Sequence, residues 1–120
     1  MRSNLVDKNR PIIELAEYVA NRSTCHIRVG AILSDKYGVF AWGHNHSGTG
    51  LGMCAERHAI SRANKKRLTG STLTIYSVRN RNGKRLPSFP CDKCWQWVVN
   101  FKIGKVVYQT IHEGWKEITL

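Results

Sequence analysis

Residues 53–66 read MCAERHAISRANKK, and residues 90–94 read PCDKC. The first stretch sets Ala55, Ala59, Ile60 and Ala63 on one side of a predicted helix, with Cys54 and Glu56 at its start. The second opens a shorter helix over residues 91–101, carrying Trp95, Val98 and Val99. Each helix therefore begins at a thiol. Free N–H groups and the helix dipole lower a thiol's pKa at such an end. Thiolates are soft ligands that suit Zn²⁺, and three of them leave one tetrahedral position open to water, as a catalytic zinc requires. Glu56 follows one ligand by two residues, close enough to reach that water without ligating the ion.

Outward from these two helices, the pattern alternates. Residues 11–22 carry Ile12, Leu15, Ala16, Val19 and Ala20 at helical spacing, with Pro11 suited to a first turn. Residues 27–33 and 39–42 read as two short strands around the turn at 34–38, an antiparallel hairpin. Residues 44–52 form a loop rich in Gly and Ser, and residues 72–78 a third strand. A basic loop with Arg79, Arg81, Lys84 and Arg85 leads to Pro90. Residues 104–110 and 115–120 complete the set as strands. The order α-β-β-α-β-α-β-β implies a mixed five-stranded sheet covered by helices, a three-layer α/β/α sandwich. Only residues 111–114 separate the last two strands, too few for a parallel crossover, so they form an antiparallel C-terminal hairpin.

A chain of 120 residues is expected to form one domain, residues 1–120. It contains no run of 18 apolar residues, and residues 1–10 are polar, which predicts a cytoplasmic protein without a membrane span or secretory signal. In a reducing compartment the four cysteines are not a disulfide framework. Nineteen Lys and Arg against eight Asp and Glu give a net charge of +11, a field that attracts phosphates. Two basic clusters stand out. Lys65-Lys66-Arg67 reads as charge at a helix C-terminus. Arg79 to Arg85 lies just ahead of the second thiol turn, at the expected mouth of a pocket, and is expected to favour phosphorylated or polymeric substrates over a bare nucleoside.

These motifs together resemble the cytidine deaminase superfamily, whose signature is a ligand-x-Glu followed by Pro-Cys-x-x-Cys. Cys54-Ala55-Glu56-Arg57 resembles the Cys-Ala-Glu-Arg of small nucleoside deaminases, and Val29-Gly30-Ala31 resembles their first-strand motif. Arg22-Ser23-Thr24-Cys25, Gly43-His44-Asn45 and residues 103–108 are similar to deoxycytidylate deaminases. The resemblance covers roughly residues 27–108. It implies Zn²⁺ on Cys54, Cys91 and Cys94, and Glu56 as the catalytic proton carrier. It implies Arg57 as a donor to the thiolates, and Asn45 and Ala55 beside the substrate. Phe89, just before Pro90, is the candidate for stacking on the base. The implied reaction is hydrolytic deamination of cytosine to uracil in a nucleoside or nucleotide, by a homo-oligomer. Nucleoside enzymes carry Asn-x-Glu, with the Glu on ribose, where this chain has Ser47.

Other readings stand beside this one. A polynucleotide deaminase acting on single-stranded DNA or RNA fits the charge. A non-catalytic, zinc-stabilised nucleic-acid-binding module fits the metal ligands alone. His58 lies four residues after Cys54, so with the three thiols it could close a structural Cys₃His site. A redox role for Cys91-x-x-Cys94 lacks the thioredoxin-like context it needs. His44 and His46 are either pocket-lining or solvated loop residues, Cys25 is a small packed residue, and Trp95, Trp97 and Trp115 are core or interface residues.

Overall fold

The computed structural model describes residues 2–46, 54–79, 81–110 and 114–120. In chain order the elements are α1 (Arg2–Ala20), β1 (Ile27–Asp35), β2 (Gly38–His44), α2 (Ala55–Arg62), α3 (Lys65–Leu68), β3 (Thr72–Arg79), α4 (Asp92–Asn100), β4 (Lys105–Gln109) and β5 (Trp115–Thr119). The five strands form one sheet in the order β2-β1-β3-β4-β5. β1 pairs antiparallel with both β2 and β3, so β2 and β3 run in one direction on either side of it. β3 and β4 are parallel, joined through α4, and β4 pairs antiparallel with β5 from Lys105↔Thr119 to Gln109↔Trp115. This is the mixed sheet with the C-terminal hairpin that the loop lengths predicted.

Both faces of the sheet are covered. Neighbouring strand residues point to opposite faces. Ala31, Leu33, Leu73, Ile75 and Val106 accordingly pack with Ala55, Ala59, Ile60 and Val98 on the α2–α4 side. Ile32, Tyr76, Val78 and Val107 pack with Ile13, Ala16 and Val19 of α1 on the other, together with Trp115. A strand buried on both faces needs a continuous apolar run rather than an alternating one, which is why residues 29–33 read as they do. Two glycines set how closely the helices approach. A Cβ on Gly30 would overlap the Ala16 carbonyl of α1, and one on Gly43 would lie 2.5 Å from the Ala59 amide nitrogen of α2.

Two helix boundaries differ from the sequence reading. α1 begins at Arg2, which places Pro11 inside it rather than in its first turn. Asn9 and Ile13, one turn apart and on either side of the proline, are both buried, so tertiary contacts carry the helix past the missing N–H. The helix expected over 53–66 is two. Its backbone leaves the helical region at Ala63 and Asn64, and the Asn64 side chain caps α3 by accepting from the Lys66 amide. Lys65 Nζ then donates to the carbonyls of Ile60, Ser61 and Ala63 at 2.9–3.2 Å, satisfying the exposed end of α2. Arg67 forms a two-pronged pair with Asp35 at 2.8 and 2.7 Å and lies over the Phe40 ring. No described helix is long and apolar enough to cross a membrane.

Candidate metal centre

Because β2 and β3 run in the same direction, the helices that follow them start at the same end of the sheet. Such ends, at the carboxyl termini of strands, are where α/β folds bind ligands. Cys54 is the N-cap of α2 and Cys91 the N-cap of α4, both with extended backbone (φ −73°, ψ 147° and φ −68°, ψ 171°). Neither thiol makes a capping hydrogen bond, so both sulfurs remain available to one another. Cys94, in the first turn of α4, is buried. The three sulfurs lie within 4.8 Å of one another, and Cys91 Sγ and Cys94 Sγ are 3.4 Å apart.

This cluster fits zinc. A tetrahedral ion with Zn–S bonds of about 2.3 Å spaces its sulfurs by about 3.8 Å. Without a cation the group is electrostatically awkward. Burial drives the Cys94 thiol far above the usual thiol range, reinforced by the Glu56 carboxylate and the neighbouring thiols. Burial presses Cys91 the same way. There the Cys94 amide and the Cys94 and Cys54 thiols outweigh it and hold Cys91 below the usual range. A divalent cation among the sulfurs supplies the charge that stabilises all three as thiolates. Arg57 Nη2 donates to Cys54 Sγ at 3.5 Å, placing a positive group against the ligand set. Arg57 Nε is buried without a hydrogen-bond partner among the described residues.

A cleft of about 270 Å³ opens over the cluster. Cys54, Ala55, Glu56 and Cys91 form its floor, and Ile27, Val29, Asn45, Ser77, Pro87, Ser88 and Phe89 its walls. Glu56 is only 7% exposed. Burial pushes its carboxyl above the usual carboxylate range, although its own amide and the Arg57 charge pull the other way. Asn45 is clamped to the start of β1: its side chain accepts from the Val29 amide at 2.9 Å and donates to the Ile27 carbonyl at 2.8 Å. Phe89 is 47% exposed and stacks on Trp95, with ring centroids 5.2 Å apart.

The fourth-ligand reading of His58 does not hold. Cys54 sits outside the helix as its N-cap, so the i, i+4 spacing does not bring the two side chains to one face. His58 Nδ1 instead lies 3.2 Å from the His44 carbonyl, in a group with His44 and His46. Cys25 also stands apart from the thiol group, its amide bonded to the Ser23 hydroxyl. Trp95 and Trp97 pack against the α2–α4 core, and Trp115 is buried on the α1 side.

The basic loop is hydrogen-bonded back onto the end of β3. Arg79 and Lys84 close a tight turn through the Arg79 amide and Lys84 carbonyl at 2.8 Å, and Arg85 bridges to Val78. The Arg85 guanidinium lies over Tyr76, a residue of the α1-side core, 5.6 Å from the ring centroid. None of Arg79, Arg81, Lys84 and Arg85 lines the cleft. Ser47 lies outside the described residues. Sequence reasoning missed Ser88. Its hydroxyl donates to the Ile75 carbonyl and accepts from the Gln109 amide, both at 2.8 Å, and so pins the segment leading to Phe89 and Cys91 onto β3 and β4. A serine next to a thiol turn carries no pattern that announces this.

Comparison with known proteins agrees with the geometry. The family model for the cytidine and deoxycytidylate deaminase zinc-binding region matches residues 7–110. Among solved structures, the fold is similar to cytidine deaminase from Burkholderia pseudomallei, at 23% identity over 92% of this chain and 91% of that one, with a TM-score of 0.71. It is also similar to dCMP deaminase from the cyanophage S-TIM5, at 20% identity over 83% and 80% of the two chains, with a TM-score of 0.63. Cytidine deaminase from Mycobacterium leprae is 25% identical over 87% of each chain, with a TM-score of 0.57. A search of curated proteins finds no match. With three thiols gathered at two helix N-termini, a buried carboxylate beside them and a family match over most of its length, the chain belongs to the zinc-dependent cytidine and deoxycytidylate deaminases.

Proposed function

We propose that the protein deaminates cytosine in a free nucleoside, with the corresponding nucleotide as a second substrate. The observation that carries this reading is the cleft's composition: a buried carboxyl beside three thiols, and no cationic side chain among the described lining residues. A small cleft with an apolar wall and one amide suits a base and its sugar better than a polyphosphate backbone. The predicted preference for phosphorylated or polymeric substrates has no support in that described lining, and the Arg85 guanidinium lies over Tyr76 instead.

In this reading Cys54, Cys91 and Cys94 hold zinc, which when bound polarises water and lowers its pKa toward neutrality. Glu56 takes the proton of the attacking water, delivers it to the ring nitrogen next to C4, and passes a further proton to the amino group. Water adds at C4, the bond from C4 to the exocyclic amino nitrogen breaks, ammonia leaves, and the base remains on its sugar as uracil. Burial makes Glu56 a stronger base than an ordinary carboxylate. Ala55 and Asn45 border the substrate, Asn45 held rigid by β1, and the exposed face of Phe89 covers the base. Arg57 steadies the Cys54 thiolate. The reading includes a homo-oligomer, supported by the exposed Val99 (51%) and Leu120 (52%) around one groove of the α4–β5 edge.

Ammonia release from cytidine, deoxycytidine, deoxycytidylate and a cytosine-containing single-stranded oligonucleotide tests the proposal. The nucleosides are expected to give the highest kcat/KM. A higher value with deoxycytidylate assigns the chain to nucleotides, and one with the oligonucleotide assigns it to polymers. Zinc-loaded protein inert towards all four refutes an enzymatic role on cytosine.

A further inference from the structure

Beside the thiol cluster, three imidazoles meet. His44 ends β2, His46 follows two residues later, and His58 projects from α2. One ring nitrogen of each lies within 4.8 Å of the other two. The ring centroids are 5.0–5.5 Å apart, edge to face. Gly43 makes the meeting possible. A Cβ there would strike the α2 backbone and stand 2.9 Å from His58 Cβ, so any side chain at this position would push β2 and α2 apart.

Each ring is held through its Nδ1 nitrogen. His44 Nδ1 lies 3.2 Å from the Asn45 carbonyl, and His46 Nδ1 and His58 Nδ1 each lie 3.2 Å from the His44 carbonyl. An imidazole that donates Nδ1–H to a carbonyl keeps its lone pair on Nε2, the arrangement typical of metal-bound histidine. The His44 amide is also 3.2 Å from His58 Nδ1, the partner if that nitrogen carries the lone pair, and an ion on Nε2 selects the donating form. Burial, helped by the Arg62, His44 and His46 charges, holds His58 below the usual histidine range despite the His44 carbonyl.

We propose that His44, His46 and His58 form a second metal site, for Zn²⁺ or a related divalent transition ion, distinct from the thiol site. Imidazole suits these ions, and three imidazoles with an open position form a stable zinc set. Zn–N bonds of about 2.0–2.1 Å place tetrahedral ligands about 3.4 Å apart, and the ring nitrogens of the observed cluster lie within 4.8 Å of one another. An ion here ties the end of β2 to α2, and so fixes Asn45 relative to Glu56 across the cleft. The proposal does not depend on which substrate the cleft takes.

The test titrates Zn²⁺ into protein that already carries one equivalent, and repeats the titration with Co²⁺. Wild-type protein is expected to bind a second equivalent. In the cobalt titration, sulfur-to-metal charge transfer marks the thiol site, and the other equivalent adds absorbance without it. His46→Ala, with folding checked by circular dichroism, is expected to weaken the second site by at least about 100-fold and leave the thiolate band unchanged. If that variant does not fold, His44→Gln serves in its place with the same expectation. Saturation of wild-type protein at one equivalent overturns the proposal, as does unchanged binding of two equivalents by the folded variant.

Discussion

On one face of the sheet, Gly30 lets α1 settle onto β1 at the Ala16 carbonyl; on the other, Gly43 lets α2 settle onto β2 at the Ala59 amide. The packing device is the same, a missing Cβ under a helix backbone, but what it carries differs. The α1 contact joins Ile13, Ala16 and Val19 to Ile32 and Val107, all apolar. The α2 contact sets the register of a helix that is capped by Cys54, opens with Ala55 and Glu56, and meets His44 through His58. Tight packing is therefore a matter of stability on one side and of atomic placement on the other. The sheet separates the two tasks by giving each its own face.

The largest effect expected from breaking this division is at Glu56. Glu56→Gln keeps the shape of the side chain and removes the proton carrier, so kcat is expected to fall by about 10²–10⁴-fold with zinc content and unfolding midpoint nearly unchanged. The pH profile sharpens the point. Burial raises this carboxyl, and the deprotonated form is the active base. The acid limb of wild-type kcat/KM is thus expected above the usual carboxylate range, with activity rising as pH climbs through it. Full turnover by Glu56→Gln would place the proton transfer on another group.

The paired glycines give the next effect. Gly30→Ala and Gly43→Ala each force backbone apart and are expected to destabilise the protein by about 1–3 kcal/mol in denaturant unfolding. Only Gly43→Ala is expected also to lower kcat/KM, by about 10²-fold for a displacement near 1 Å, when both are assayed cold and corrected for folded fraction. Equal losses of activity would mean that both faces position the site. The smallest effect is expected at Arg85, on the α1 side. Arg85→Ala removes a cation from the Tyr76 ring, at a cost of about 0.5–1 kcal/mol, and is expected to leave cytidine turnover unchanged. A fall in turnover would bring the basic loop back to the cleft.

The parts legible in the sequence were those that spacing alone determines. Cys54-x-Glu56 and Pro90-Cys91-x-x-Cys94 announce a group of thiols suited to a metal with a carboxyl beside it, and the short connection at 111–114 forces the last hairpin. What spacing could not show depended on local backbone. Helical periodicity placed His58 with Cys54, but an N-cap with ψ near 147° does not follow that period. The basic loop was assigned by its nearness in sequence to Cys91. The hydrogen bond between Arg79 and Lys84 and the bridge from Arg85 to Val78 fold it back along β3, and the Arg85 guanidinium lies over Tyr76. The division of residues 53–66 rested on Asn64, whose preference for capping outweighs an unbroken apolar pattern.

The thiol cluster joins α2 to α4, two segments separated in the chain by all of α3 and β3. An ion held there is a cross-link as well as a reagent. It closes a long loop that the unfolded chain leaves open, and it binds the native state in preference to the denatured one. Each tenfold rise in free zinc above the dissociation constant then adds about 1.4 kcal/mol to the stability of the fold. The lifetime of the chain under proteolysis is thereby tied to the zinc available to it, and molecules that have not acquired the ion are those removed first.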